Sequence, residues 1–157
     1  MRRRSTLSST SRESRLTHSA DAVWAVVASG SSGPQWYVDA APFVVRGALD
    51  RLTGGAGRPW QPPGTPRLTT GDRAGFWRVT EADHARRHLV LTAQVRAPGT
   101  VTMVTDVVPG TTGCLLRQRV RLQPSGLLGA AYLLVDLPAR GALLELAHRR
   151  LLSDLRS

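Results

Sequence analysis

The sequence contains no lysine, no isoleucine and no asparagine, and only one cysteine, Cys114, in 157 residues. A lone cysteine excludes an internal disulfide framework and any multi-cysteine zinc site. Set in an apolar strand, Cys114 reads as a small buried hydrophobe rather than a nucleophile. The three missing residues are those with A/T-rich codons, so a GC-rich genome accounts for the reliance on Arg, Ala, Gly, Leu and Val. The same bias weakens the meaning of the net charge of +10, which would otherwise point to a polyanionic partner. Arg2, Arg3, Arg4 and Arg12 against Glu13 put part of that excess near the start, and the rest is spread along the chain.

Long hydrophobic runs are also lacking. The longest, Leu127–Val135, is about half of the ~20 residues a membrane span needs, and Asp136 closes it. Met1–Arg4 resembles the basic head of an export signal, but Ser5–Arg15 is polar where an apolar segment is required, so a cytoplasmic location is expected. Catalytic signatures are missing as well. His18, His84, His88 and His148 have no metal-ligand spacing and read as surface residues, and no metal or cofactor is expected. Ser31-Ser32 does not make a nucleophile elbow, and Gly54-Gly55-Ala56-Gly57 follows a helical pattern rather than a strand.

What is present is a strand-rich centre. From His88 to Arg96, Leu89, Leu91, Ala93 and Val95 alternate with mostly polar residues, the period of a strand with one buried face. Four strands are expected, at Gly71–Thr80, Arg87–Ala97, Thr100–Val108 and Cys114–Gln123, the later ones joined by tight turns at Ala97-Pro98-Gly99 and Pro109-Gly110. In the last, Leu116, Gln118, Val120 and Leu122 share one face and Arg117, Arg119 and Arg121 the other, which reads as a solvated outer surface. Gln118 stands out, since a buried amide needs partners from the protein or from a ligand.

Around this sheet, residues 1–13 read as a flexible tail and 14–157 as one domain opening with a strand at Ser14–His18. Ser19 is placed to cap a helix carrying Ala22, Val23, Val26 and Val27 on its apolar side, with Trp24 near the edge. A second helix is expected near Pro42, with Val45, Leu49 and Leu52 on one side, before the proline-rich loop Arg58–Arg67. After Leu127–Val135 and a break at Pro138, an apolar stripe of Leu143, Leu144, Ala147, Leu151 and Leu155 continues to the end. The class is α+β: a curved antiparallel sheet wrapped around a long C-terminal helix, with two short helices after the first strand.

This order of elements resembles the START-like, or SRPBCC, superfamily. Narrower segments resemble a bacterial family of unknown function within it: Leu49-Asp50-Arg51-Leu52 with Gly54-Gly55-Ala56-Gly57, Gly71-Asp72 leading to Phe76-Trp77-Arg78-Val79, Pro98-Gly99, and Pro124-Ser125-Gly126-Leu127-Leu128-Gly129 with Tyr132 and Pro138. Leu133 and Arg140 stand where that family usually has Trp and His. The resemblance implies a helix-grip fold with a ligand cavity between the sheet and the last helix.

Expected contacts with a small hydrophobic ligand are Trp77, Leu89, Leu91, Ala93 and Val95 from the earlier strands. Met103, Leu116, Gln118 and Val120 would join them from the later strands, and Leu128 and Tyr132 from the helix. Such a binding module is the first reading. A polyketide cyclase or aromatase-type enzyme, as in other branches of the superfamily, is the alternative, with Asp72, Arg78 and Tyr132 as acid–base candidates. Six apart on one expected strand, Asp72 and Arg78 would orient a polar group. The plainer reading is that Asp72 closes the turn at Gly71. A nucleic-acid partner, using the Arg-rich start and Arg117, Arg119 and Arg121, is the least favoured reading.

Overall fold

Six strands build one sheet in which every neighbouring pair is antiparallel, in the order β1-β6-β5-β4-β3-β2. The strands are β1 (Ser8–Leu16), β2 (Arg73–Ala74), β3 (Trp77–Asp83), β4 (His88–Ala93), β5 (Gly99–Gly110) and β6 (Gly113–Pro124). Helices α1 (Ala20–Val27) and α2 (Trp36–Asp39) follow the first strand, and residues 144–154 form α3. The computed structural model describes residues 8–39, 61–75, 77–93, 99–124, 141–142 and 144–156. The helix expected near Pro42, the strand end holding Val95, and the stretch containing Leu128, Tyr132, Leu133, Pro138 and Arg140 lie outside them. No helix among the described residues is long and apolar enough to cross a membrane.

Two expectations need correction. The first strand begins at Ser8 and ends at Leu16, instead of spanning Ser14–His18 behind a tail of thirteen residues. It pairs with β6 along its whole length, from Ser8 opposite Leu122 to Leu16 opposite Cys114. Its inward positions are Thr10, Arg12, Ser14 and Leu16, almost as polar as the outward ones, so no apolar alternation marks it as a strand. The segment Gly71–Thr80 is likewise a tight hairpin rather than one strand. Ala74 pairs with Trp77, and Gly75, at φ 62°, lets the chain reverse.

Directly opposed residues in an antiparallel sheet share a face. One inner row therefore runs Val79, Leu91, Met103, Val120, Thr10, and the next runs Ala82, Leu89, Thr105, Gln118, Arg12. The first four of the apolar row are buried, as are Trp77, Leu89 and Leu116. The outer face holds Arg117, hydrogen-bonded to Glu13, and His88, half-buried beside Asp106. Arg119 and Arg121 share that face by register.

The Ser19 hydroxyl caps α1 by accepting from the Ala22 N–H at 3.2 Å. Trp24 proves central to that helix, 1% exposed, while Ala22 points outward. Each buried indole among the described residues finds a hydrogen-bond acceptor, as suits an amphipathic ring. Trp24 Nε1 donates to His84 Nδ1, Trp36 Nε1 to the Val27 carbonyl, and Trp77 Nε1 to the Tyr37 carbonyl. Leu144, Ala147 and Leu151 of α3 pack into the same core as the inner face of the sheet.

Candidate functional site

Among the described residues, the buried polar side chains gather at one place against the inner face. Arg12, Gln118 and Thr105 lie side by side on β1, β6 and β5, because consecutive register pairs bring them into one row. Above them α3 sets Glu145 and His148, three residues apart and so on neighbouring positions of one helix face. The Gln118 side-chain amide donates to Thr105 Oγ1 at 3.4 Å, and its carbonyl Oε1 lies 2.9 Å from His148 Nδ1. With the amide so oriented, Nδ1 carries the proton and donates. In the neutral ring Nε2 is then an acceptor, and it accepts from the Ser14 hydroxyl at 2.6 Å. A continuous chain therefore runs Ser14, His148, Gln118, Thr105 across three strands and a helix.

A second contact lies beside it. Arg12 Nε donates to Glu145 at 2.7 Å, and Arg12 Nη2 reaches the Gly141 carbonyl at 3.5 Å. The Arg12 and Arg149 hydrogen bonds hold the Glu145 carboxyl below its ordinary value. Burial pushes the His148 imidazole below its usual value; Glu145 opposes this and Arg12 adds to it. The cluster thus favours a neutral imidazole next to a hydroxyl.

The expected site residues fall into three groups. Trp77, Leu89, Leu91, Ala93, Met103, Leu116, Gln118 and Val120 all lie on the inner face. Val95, Leu128 and Tyr132 are outside the described residues. Asp72 and Arg78 are not brought together: the Asp72 carboxylate accepts from the Thr69 N–H at 2.8 Å, and Arg78 is exposed on the outer face opposite Thr92. The parity argument for that pair failed because the hairpin at Gly75 interrupts the strand it assumed.

His148, expected at the surface, is 4% exposed. Its position four residues after Leu144 and three before Leu151 puts it on the apolar stripe, which is the signal that could have identified it. Ser14 and Arg12 carried no comparable signal. Cys114 is buried as expected, and burial raises its thiol pKa. A surface cleft of about 240 Å³ between Arg15, Leu16 and the β5–β6 hairpin contains none of the expected site residues.

The burial of His148 has a consequence for stability. An unfolded histidine titrates near 6.5, and in the folded chain the value is lower. Below about pH 6.5 the unfolded chain takes up the proton first, so the contribution is complete above that pH and is lost as pH falls toward the folded value. Urea midpoints at pH 7.5 and pH 5.5 should therefore fall further for the natural chain than for His148→Gln. Equal falls would show that His148 is not held neutral by the fold.

Residues 8–146 match the family described as "Protein of unknown function (DUF2867)". No curated protein matches the chain. Among solved structures, norcoclaurine synthase from Thalictrum flavum superposes with a TM-score of 0.53 at 14% identity, over 97% of this chain and 88% of that one. The same protein in complex with dopamine and hydroxybenzaldehyde gives 0.52 at 13% identity, over 96% and 88%. CalU16 from Micromonospora echinospora gives 0.53 at 15% identity, over 91% and 71%. At such identities the likeness is one of fold: a curved sheet gripping a C-terminal helix, the START-like α+β architecture.

Proposed function

Since this chain belongs to the family Protein of unknown function (DUF2867), we propose that it uses its helix-grip fold to hold a small, largely apolar molecule between the inner face of the sheet and α3. The observation that carries this reading is the inner face itself. It is a broad apolar surface, from Trp77 and Leu91 through Met103 to Val120, interrupted by one cluster of buried hydrogen-bonding groups at Gln118, Thr105 and His148. Ligand pockets are built this way, with apolar walls supplying affinity and a few polar groups setting orientation. The complex of norcoclaurine synthase with dopamine and hydroxybenzaldehyde places small aromatic molecules on the same fold. Leu91, Met103 and Val120 are the proposed walls, and the Ser14–His148 end takes whatever polar group the ligand carries.

Native mass spectrometry of the purified chain should show a co-purifying small molecule. In its absence, thermal melts with 1-anilinonaphthalene-8-sulfonate and a panel of small aromatics should show stabilisation, about 2.7 kcal/mol at a hundredfold excess over Kd. Met103→Trp, which sets a larger side chain between Leu91 and Val120, should reduce that shift. A natural chain that carries nothing and melts at one temperature with every compound would refute the reading.

The cyclase- or aromatase-type reading is favoured by one observation, the neutral imidazole of His148 with a hydroxyl on its lone pair. Acid–base chemistry in this space would fall to His148, with Asp72 and Arg78 standing away from it.

A further inference from the structure

We propose that Ser14, His148 and Gln118 form a nucleophile, base and orienting group that cleave carboxylic esters. The inference starts from geometry. The Ser14 hydroxyl sits 2.6 Å from His148 Nε2, and the opposite ring nitrogen is held at 2.9 Å by Gln118 Oε1. A hydroxyl on a base whose far nitrogen is fixed by a third group is the arrangement that activates a serine. Gln118 is fully buried and its amide donates to Thr105, and with the amide in that orientation the ring carries its proton on Nδ1 and presents Nε2 as the acceptor. Ser14 is half-buried on the edge strand β1.

A latch that only pinned α3 to the sheet would need no such order. Any hydroxyl or amide pairing would serve, whereas here a neutral imidazole aims its lone pair at an alcohol. Arg12 stands two residues from Ser14 on the same face of β1. Three of its N–H groups are used, by Glu145, Ser11 and Gly141. A guanidinium has five, so two have no partner among the described residues, and in this proposal they meet the negative charge that develops on the carbonyl oxygen.

The reaction balances with water as the only co-reactant. Ser14 Oγ bonds to the ester carbonyl carbon as its proton passes to His148 Nε2, and the C=O π electrons move to oxygen. Collapse expels the alkoxide, which takes the proton from His148 and leaves as the alcohol. Water then attacks the acyl-serine, losing a proton to His148. That proton returns to Ser14 Oγ as the carboxylic acid departs. For the apolar part of its substrate this inference rests on the reading that ligands lie against the inner face; the covalent step does not.

The test uses the full-length chain at pH 8 with a fluorophosphonate probe, which traps activated serines. Intact mass should show one adduct and peptide mapping should place it on Ser14. p-Nitrophenyl butyrate should be hydrolysed, with a rate that rises with pH to a plateau set by a midpoint below the ordinary imidazole value, which a structural contact would not produce. Ser14→Ala should abolish labelling, and His148→Gln should slow labelling and hydrolysis by about 100-fold or more. Arg12 of β1 and Glu145 of α3 are the described charged residues that bear on that midpoint. A folded natural chain, verified by its melt, that takes no adduct on Ser14 overturns the proposal, as does an adduct whose rate ignores His148→Gln. Stabilisation by apolar compounds without an adduct sinks the esterase and leaves the binding reading standing. An adduct without such stabilisation supports the serine site and removes the binding reading.

Discussion

Gly113→Ala is expected to destabilise the chain by roughly 3 kcal/mol or more, combining backbone strain with overpacking. Gly113 opens β6 after the Thr111-Thr112 turn with φ at 126°, a region L side chains rarely enter. An added Cβ would also run into the Leu16 carbonyl oxygen and lie 3.1 Å from Thr17 Cα. These atoms are backbone, not a flexible side-chain end, and they belong to the end of β1, where Leu16 pairs with Cys114. The edge strand must therefore move or the turn must reopen. Two other glycines separate the causes. Gly71 has φ at 99° and open space around it, so Gly71→Ala should show strain alone, about 1–2 kcal/mol. Gly110 has only ordinary contact with the Gly113 carbonyl at 3.5 Å, so Gly110→Ala should stay within about 0.5 kcal/mol of the natural chain. Urea denaturation with an unchanged slope is the measurement, and a Gly113→Ala midpoint matching that of Gly110→Ala would refute the account.

Trp77→Ala should cost about 3–5 kcal/mol, the range for emptying a buried aromatic site. Trp77 is 2% exposed, and its register partners on either side are Ala74 and Ala93, small residues that leave room for the indole. The ring also donates to the Tyr37 carbonyl at 2.8 Å, tying α2 to the sheet. Melting should drop by on the order of 10 °C for a chain of this length. Trp77→Phe keeps the packing and loses the donor, so it should recover more than half. Because an apolar cavity accepts small aromatics, millimolar indole should raise the melting point of Trp77→Ala more than that of the natural chain. A loss of less than about 2 °C in Trp77→Ala would show that the indole is not part of the core.

The central strands were legible because their information is local. Leu89 and Leu91 face in and Leu116 to Leu122 alternate with arginines, so residue parity alone gives the faces, and the tight turns give antiparallel pairing. The Ser19 cap was legible for the same reason, since the hydroxyl and the N–H it caps are three residues apart. Parity misled wherever the chain bent unseen. Gly75 turned an expected strand into a hairpin, and with it the pairing of Asp72 and Arg78 disappeared. The first strand was placed too late, at Ser14–His18 instead of Ser8–Leu16, because most of its inward residues are polar and meet a helix more than a hundred positions away.

By itself, then, the order of residues determined an antiparallel sheet with one apolar face, a capped helix after the first strand, and a buried amide at Gln118 in need of partners. It could not name those partners. Ser14 and His148 are separated by 134 positions, and His148 and Gln118 by 30. A hydrogen bond leaves no periodic trace in the chain that makes it. Only when β1 closes on β6 and α3 settles on the inner face do a hydroxyl, an imidazole and an amide come within 3 Å of one another in sequence, Ser14 to His148 to Gln118. The tertiary structure decided that contact because desolvation and hydrogen bonding act on distance in space, to which side-chain pattern is blind.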